Sequence, residues 1–163
     1  MQKFLAATAM LLISAATSLA GEFSFPSDAP VATVSIPDSW QPSETEYGVE
    51  ATSDDGGTYI SFDIAGDSDM DKVMTQVFDF LSENGVEPDP ATQKDSKDTL
   101  NGMPFEAIDW SGKDKDGPVS IGVGIIGLSA EKIAIVTYWA SVETEDRNMP
   151  EVGKILATVK PVN

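Results

Sequence analysis

The apolar spacing changes period once between Tyr47 and Leu81, and no other feature restricts the fold of this chain so sharply. Tyr47, Val49 and Ala51 alternate with Gly48, Glu50 and Thr52. After the run Asp54-Asp55-Gly56-Gly57, Ile60, Phe62 and Ile64 alternate with Tyr59, Ser61 and Asp63. Side chains on a strand point to opposite faces in turn, so two such runs joined by a Gly-rich turn predict an antiparallel hairpin with one wet face. From Met70 the spacing becomes helical: Met70, Val73, Met74, Val77, Phe78 and Leu81 fall on one stripe. Ser68 is a natural N-cap, Asp69 and Asp71 suit the positive end of the helix dipole, and Asn84-Gly85 supplies a stop.

Before the hairpin, Val31–Ile36 reads as a strand halted by Pro37-Asp38, and Pro26, Pro30, Pro37 and Pro42 break up an extended N-terminal region. After the helix, Gln93–Leu100 is a polar strand suited to a sheet edge. Met103–Ser111, Val119–Leu128 and Ile133–Ala140 are rich in β-branched and aromatic residues and are separated by turn sequences. Val152, Ile155, Leu156 and Val159 share one face of a last helix, with Pro150 in its first turn and Lys160-Pro161 at its end. The predicted order is β-β-β-α-β-β-β-β-α. This is an α+β fold with a mainly antiparallel sheet of about six to seven strands, covered by two helices. No repeat or linker divides it, so residues 21–163 are expected to form a single domain.

Residues 1–20 do not share these patterns. Lys3 precedes an apolar run from Phe4 to Ile13, and Ser18-Leu19-Ala20 forms a small-x-small cleavage site before Gly21. The run is too short for a membrane span. It is expected to be a signal peptide, with no membrane insertion after cleavage. The remaining 143 residues suffice to bury a full core, roughly 70% of the unfolded surface. The chain has no Cys, so it holds together without disulfides, and export without disulfides points to a periplasmic or secreted protein.

The chain has 10 Lys+Arg against 27 Asp+Glu, and loss of Lys3 with the signal leaves nine against 27, a net charge of −18. That charge repels phosphate backbones and anionic lipid, which argues against a nucleic-acid role; it serves solubility first, and it also suits a basic protein partner or a cation, between which acidity alone does not choose. There is no His. Without His or Cys, Ser-His-Asp and Cys-His catalysis and Cys/His zinc sites are excluded. Carboxylate, Lys, Tyr, Ser and Thr chemistry remains.

Gly122, Gly124 and Gly127 spell G-x-G-x-x-G, the spacing of a dinucleotide-binding turn. That turn requires a helix opening at its glycines. Here Val119, Ile121, Val123 and Ile125 keep alternating through them, and the β-branched segment 132–140 follows. The glycines therefore predict a strand with a bare face between Ser120 and Gly124. That face is open to a covering helix or backbone, or to a small ligand lying over Ser120, Gly122 and Gly124. Asp67, Asp69 and Asp71 copy the first, third and fifth positions of a calcium loop. Lys72 stands where that loop needs Gly, and Phe78 where it needs a bidentate Glu. Helix capping accounts for these acids more simply, which leaves them weak candidates for metal binding.

Asp114 and Asp116 beside Gly117 read as a turn. Met70 and Met74 have the spacing of soft-metal ligands but lie on the apolar stripe, where packing explains them. Trp110 and Trp139 read as core or sheet-face residues, whereas Trp40 falls in a loop. Asp109 and Glu106 share a strand without a matched acid–base partner. No cofactor is indicated.

The opening FSFP and VSIPDSW, the hairpin YGVEATSDDGGTYISFDIA, the helix DMDKVMTQVFDFL, and the strands LNGMPFEAIDW and EKIAIVTYWAS ahead of a last helix span most of residues 22–160. In order and spacing they resemble the PsbP-like fold. That group includes the PsbP subunit of the photosystem II oxygen-evolving complex, a eukaryotic Ran-GTPase-binding protein and exported bacterial proteins. The resemblance implies a non-catalytic accessory or binding protein acting through protein–protein contacts. It carries over no site residue. Two alternatives stand beside it: a periplasmic binder of a cation or small ligand, and a carboxylate- or Ser/Lys-dependent hydrolase.

Overall fold

The computed structural model describes residues 20–65 and 70–162. The strands are β1 (Ala20–Phe25), β2 (Ala32–Pro37), β3 (Ser43–Glu44), β4 (Gly48–Thr52), β5 (Thr58–Ile64), β6 (Glu87–Pro88), β7 (Lys94–Leu100), β8 (Met103–Lys113), β9 (Pro118–Gly127), β10 (Ile133–Ser141) and β11 (Lys160–Pro161). The helices are α1 (Met70–Glu83), between β5 and β6, and α2 (Glu145–Leu156), between β10 and β11. The main sheet runs β3-β4-β5-β10-β9-β8-β6, with β7 also paired to β8, and a smaller sheet runs β1-β2-β11. Every pairing is antiparallel. The fold is α+β with a mainly antiparallel sheet.

The seven predicted strands are β2, β4, β5, β7, β8, β9 and β10. The two-residue β3, β6 and β11 exist only through their partners and carry no periodicity of their own. β1 lies where prolines suggested an extended segment, and it pairs along its whole length with β2.

Alternation divides the main sheet into two buried faces. On one face, Val73, Val77 and Leu81 of α1 pack against Trp110, Ile121, Val123 and Ile135. On the other, Val49, Phe62, Ile126 and Val136 meet Val34 and Ile36 of β2 and Val152 and Ile155 of α2. Phe62 is fully buried, and its truncation to alanine costs about 3–5 kcal/mol. Among the described residues no helix is long and apolar enough to cross a membrane.

α2 starts at Glu145, so Pro150 lies inside the helix and not in its first turn. Tertiary anchoring explains the earlier start. The buried Asn148 donates through Nδ2 to Ser53 Oγ at 3.3 Å, Thr58 Oγ1 at 3.1 Å and Asp55 Oδ1 at 3.1 Å. This clamps the helix onto the β4–β5 turn. At the other end, Asn101 in the β7–β8 turn donates to the carbonyls of Ala157 and Val159 at 2.9 and 2.8 Å. Ala157 is the C-cap of α2 and Val159 leads into β11, so these bonds fix the chain where it leaves the helix. Lys160-Pro161 does not end the helix directly; it returns as β11.

Candidate functional site

α1 lies over one face of the main sheet. Its Phe78 meets Trp110 of β8 edge-on with centroids 5.6 Å apart. Phe80, on the other flank, lies 6.0 Å from Tyr59 of β5 and 6.1 Å from Trp139 of β10. The apolar residues beneath α1 come from β8, β9 and β10. The corresponding face of β4 and β5 is the wet face of the hairpin, and there a cleft of about 780 Å³ opens. Glu50, Tyr59, Ser61, Asp63 and Thr137 form its floor, Val73, Gln76, Val77 and Phe80 of α1 its wall, and Thr45, Glu46 and Tyr47 its lip.

Tyr59 stacks on Trp139 with centroids 4.0 Å apart and planes inclined by 17°. The stacked ring holds its hydroxyl where it donates to Glu50 Oε2 at 2.8 Å. Burial raises the Tyr59 phenol well above its ordinary value of 10.0, and the Glu50 carboxylate reinforces this, so the hydroxyl keeps its proton. Ser61 pairs in register with Glu50, and Asp63 with Gly48. Glu50 and Asp63 are therefore diagonal neighbours, roughly 7–8 Å apart at the backbone.

Burial raises the Asp63 carboxyl above its ordinary 3.8, and repulsion from Glu50 adds to this; the nearby Ser61 and Thr45 hydroxyls oppose it. Thr45 donates to Asp63 Oδ1 over a long 3.5 Å. Ser61 is only 3% exposed, and its hydroxyl has no hydrogen-bond partner of normal geometry. No lysine or arginine lines the cleft among the described residues. The floor is thus a half-buried pair of acids beside aromatic surface, without a counterion among the described residues.

The glycine strip lies on the opposite face of the sheet. Tyr138, Gly122 and Asp109 stand in one row across β10, β9 and β8. The Tyr138 ring crosses over Gly122 and donates to Asp109 Oδ1 at 3.2 Å. A Cβ on Gly122 would fall 2.0 Å from the ring, and one on Gly124 would fall 2.7 Å from the Phe105 ring. The face expected to be bare is therefore filled by aromatic rings from neighbouring strands, and not by a helix or another backbone. Burial, with Asp109 adding, raises the Tyr138 phenol above its ordinary value. Ser120 donates to Glu145 Oε2 at 2.6 Å and so ties the strip to the start of α2.

Asp67 and Asp69, with the expected cap Ser68, lie outside the described residues, and Asp71 is exposed in the first turn of α1. Among the described residues no group of three or more acids is placed to hold a metal ion. Asp114 closes a turn by accepting from the backbone of Asp116 and Gly117 at 2.8 and 2.9 Å. Met70 and Met74 pack against the core under α1. Trp40 is buried in a 3-10 turn, in the core on the opposite side of the sheet. Glu106 pairs with Lys97 at 2.6 Å, on the other face from Asp109, so these two acids are not brought together.

Sequence reasoning passed over Tyr59, Glu50, Ser61, Asp63 and Phe80. The signal was present: four polar or amphipathic residues on the wet side of one hairpin, and a Phe just off the stripe of the next helix.

No family model and no curated protein sequence matches the chain. Solved structures do. Cyanobacterial PsbP (CyanoP) from Synechocystis is similar over 91% of this chain and 96% of its own, with 8% identity and a TM-score of 0.62. LpqN of Mycobacterium tuberculosis, described as involved in cell envelope biogenesis, is similar over 88% of this chain and 92% of its own, with 15% identity and a TM-score of 0.53. The Saccharomyces cerevisiae Ran-binding protein Mog1p aligns over 90% of this chain and 97% of its own, with 14% identity and a TM-score of 0.49. The chain has the PsbP-like fold.

Proposed function

We propose that this PsbP-like chain is an exported accessory protein that binds rather than catalyses, and that the cleft beneath α1 is where it recognises its partner. The observation that carries the reading is the wet face of the β4–β5 hairpin. It holds Glu50, Asp63 and the buried Ser61 hydroxyl against α1, with no basic residue lining the cleft among the described residues. An uncompensated acid pair in a partly dry cleft favours a partner that supplies positive charge. Export is supported by the n-region, apolar run and cleavage site of residues 1–20 and by the absence of Cys.

The test is capture of partners from the native compartment at about 50 and 500 mM salt, since screening weakens exposed charge pairing across this range. Wild type retains a protein at low salt and releases it at high salt, and Glu50→Gln with Asp63→Asn abolishes retention. Retention that ignores both salt and these substitutions overturns the reading.

A carboxylate-dependent hydrolase is the second reading, favoured by Glu50 and Asp63 sharing the cleft in unequal surroundings. Turnover that disappears in Asp63→Asn, with near-UV circular dichroism unchanged, supports it over binding alone.

A further inference from the structure

We infer that the cleft takes an organic ammonium group, the charged head of an alkylamine or of a lysine side chain. This rests on the cleft being the recognition site and adds the chemistry of what enters it. Glu50 and Asp63 face the same space, and the Tyr59 hydroxyl fixes Glu50 through Oε2 at 2.8 Å. Ser61, buried beside them near Asp63 and Tyr59, has a hydroxyl with no partner of normal hydrogen-bond geometry. Buried polar atoms are nearly always paired, and an ammonium N–H satisfies this one. The Tyr59 and Phe80 rings, 6.0 Å apart, border the cleft and offer surface that attracts cations and covers an alkyl stem.

A hard divalent ion fits less well. Calcium takes about 6–8 oxygen ligands, and no group of three acids is assembled among the described residues. The volume of about 780 Å³ also suits a small organic group better than a bare ion. The acid pair repels an anion.

The experiment titrates the purified protein with n-butylammonium chloride and follows backbone amide shifts by NMR. Sodium chloride at matched ionic strength and neutral 1-pentanol are the controls. Saturable shifts are expected in segments 45–50, 59–63 and 76–80. Loss of one charge-assisted contact weakens binding about tenfold or more, so Glu50→Gln and Asp63→Asn each do so, with the fold checked by near-UV circular dichroism.

The peptide acetyl-Ala-Lys-Ala-amide separates the two sources of ammonium. Binding tighter than butylammonium assigns a partner's lysine, and weaker binding assigns a free amine. The inference is overturned if wild type shows no saturable shift beyond the sodium chloride control, if 1-pentanol binds as tightly, or if calcium chloride gives the same shifts at lower concentration. Salt-sensitive capture of a partner without ammonium binding leaves the recognition role standing and removes this inference alone.

Discussion

Replacing Gly122 with alanine inserts a methyl group into the space of the Tyr138 ring. The new Cβ lies 2.0 Å from ring carbon Cε1, against an ordinary carbon–carbon contact of about 3.5–4.0 Å. The ring must move by roughly 1.5 Å. It is held from the far side, because its hydroxyl donates to Asp109 Oδ1 at 3.2 Å. A hydrogen bond to a charged group contributes about 1.5–3 kcal/mol, and overpacking costs about 1–3 kcal/mol. Against this, alanine is favoured over glycine within a strand by about 0.5–1 kcal/mol. Because the ring relaxes at the expense of the hydrogen bond, the two costs overlap and the net loss is about 2 kcal/mol.

With a urea slope of about 2 kcal/mol/M, the unfolding midpoint falls by about 1 M. The decisive control is the same substitution in a Tyr138→Ala background. There the three ring atoms nearest the methyl group are gone, and Gly122→Ala becomes neutral or stabilising by about 0.5 kcal/mol. A loss in wild type below about 0.5 kcal/mol, or an equal loss in both backgrounds, refutes the reasoning.

Other parts of the fold give sharp expectations. Asn148→Ala removes the bonds that tie the start of α2 to Ser53, Asp55 and Thr58 and lowers stability by about 2–3 kcal/mol in urea denaturation, as loss of a buried hydrogen-bonding group does. Asp63 has a folded value above its ordinary 3.8, so its carboxyl opposes folding increasingly as pH rises through that folded value. Asp63→Asn therefore stabilises at pH 7, and the gain vanishes in denaturation curves below pH 3.8. Asp55 behaves oppositely. Hydrogen bonds from Ser53 and Gly57 hold it below 3.8, so its contribution is present above 3.8 and lost as pH falls through the lower folded value. Asp55→Asn costs stability at pH 7 and converges on wild type in acid.

Most of the sheet was legible because alternation on one strand is a local property. Val49 and Ala51, then Ile60, Phe62 and Ile64, assign the hairpin faces with no knowledge of what covers them. The start of α2 was hidden because Asn148 earns its place through Ser53 and Thr58, some ninety residues away. The glycine strip was read correctly as strand, but its cover came from Tyr138 and Phe105, whose rings lean across neighbouring strands. No sequence periodicity states which way a ring leans. The cleft lay in plain view as the wet face of a hairpin. It became a site only when Phe80 was seen to leave the stripe of α1 and meet Tyr59.

Site-specific photo-crosslinking tests recognition by this cleft most directly. Tyr47, at the lip, is 57% exposed, and Val142, which does not line the cleft, is 56% exposed. A benzoylphenylalanine probe replacing each residue in turn samples two surfaces of equal accessibility in the cell. Recognition through the cleft gives a cross-linked partner from position 47, little from position 142, and loss of the product from position 47 when Glu50→Gln and Asp63→Asn are added. Equal products from both positions, or a product from position 47 that survives both substitutions, contradict it.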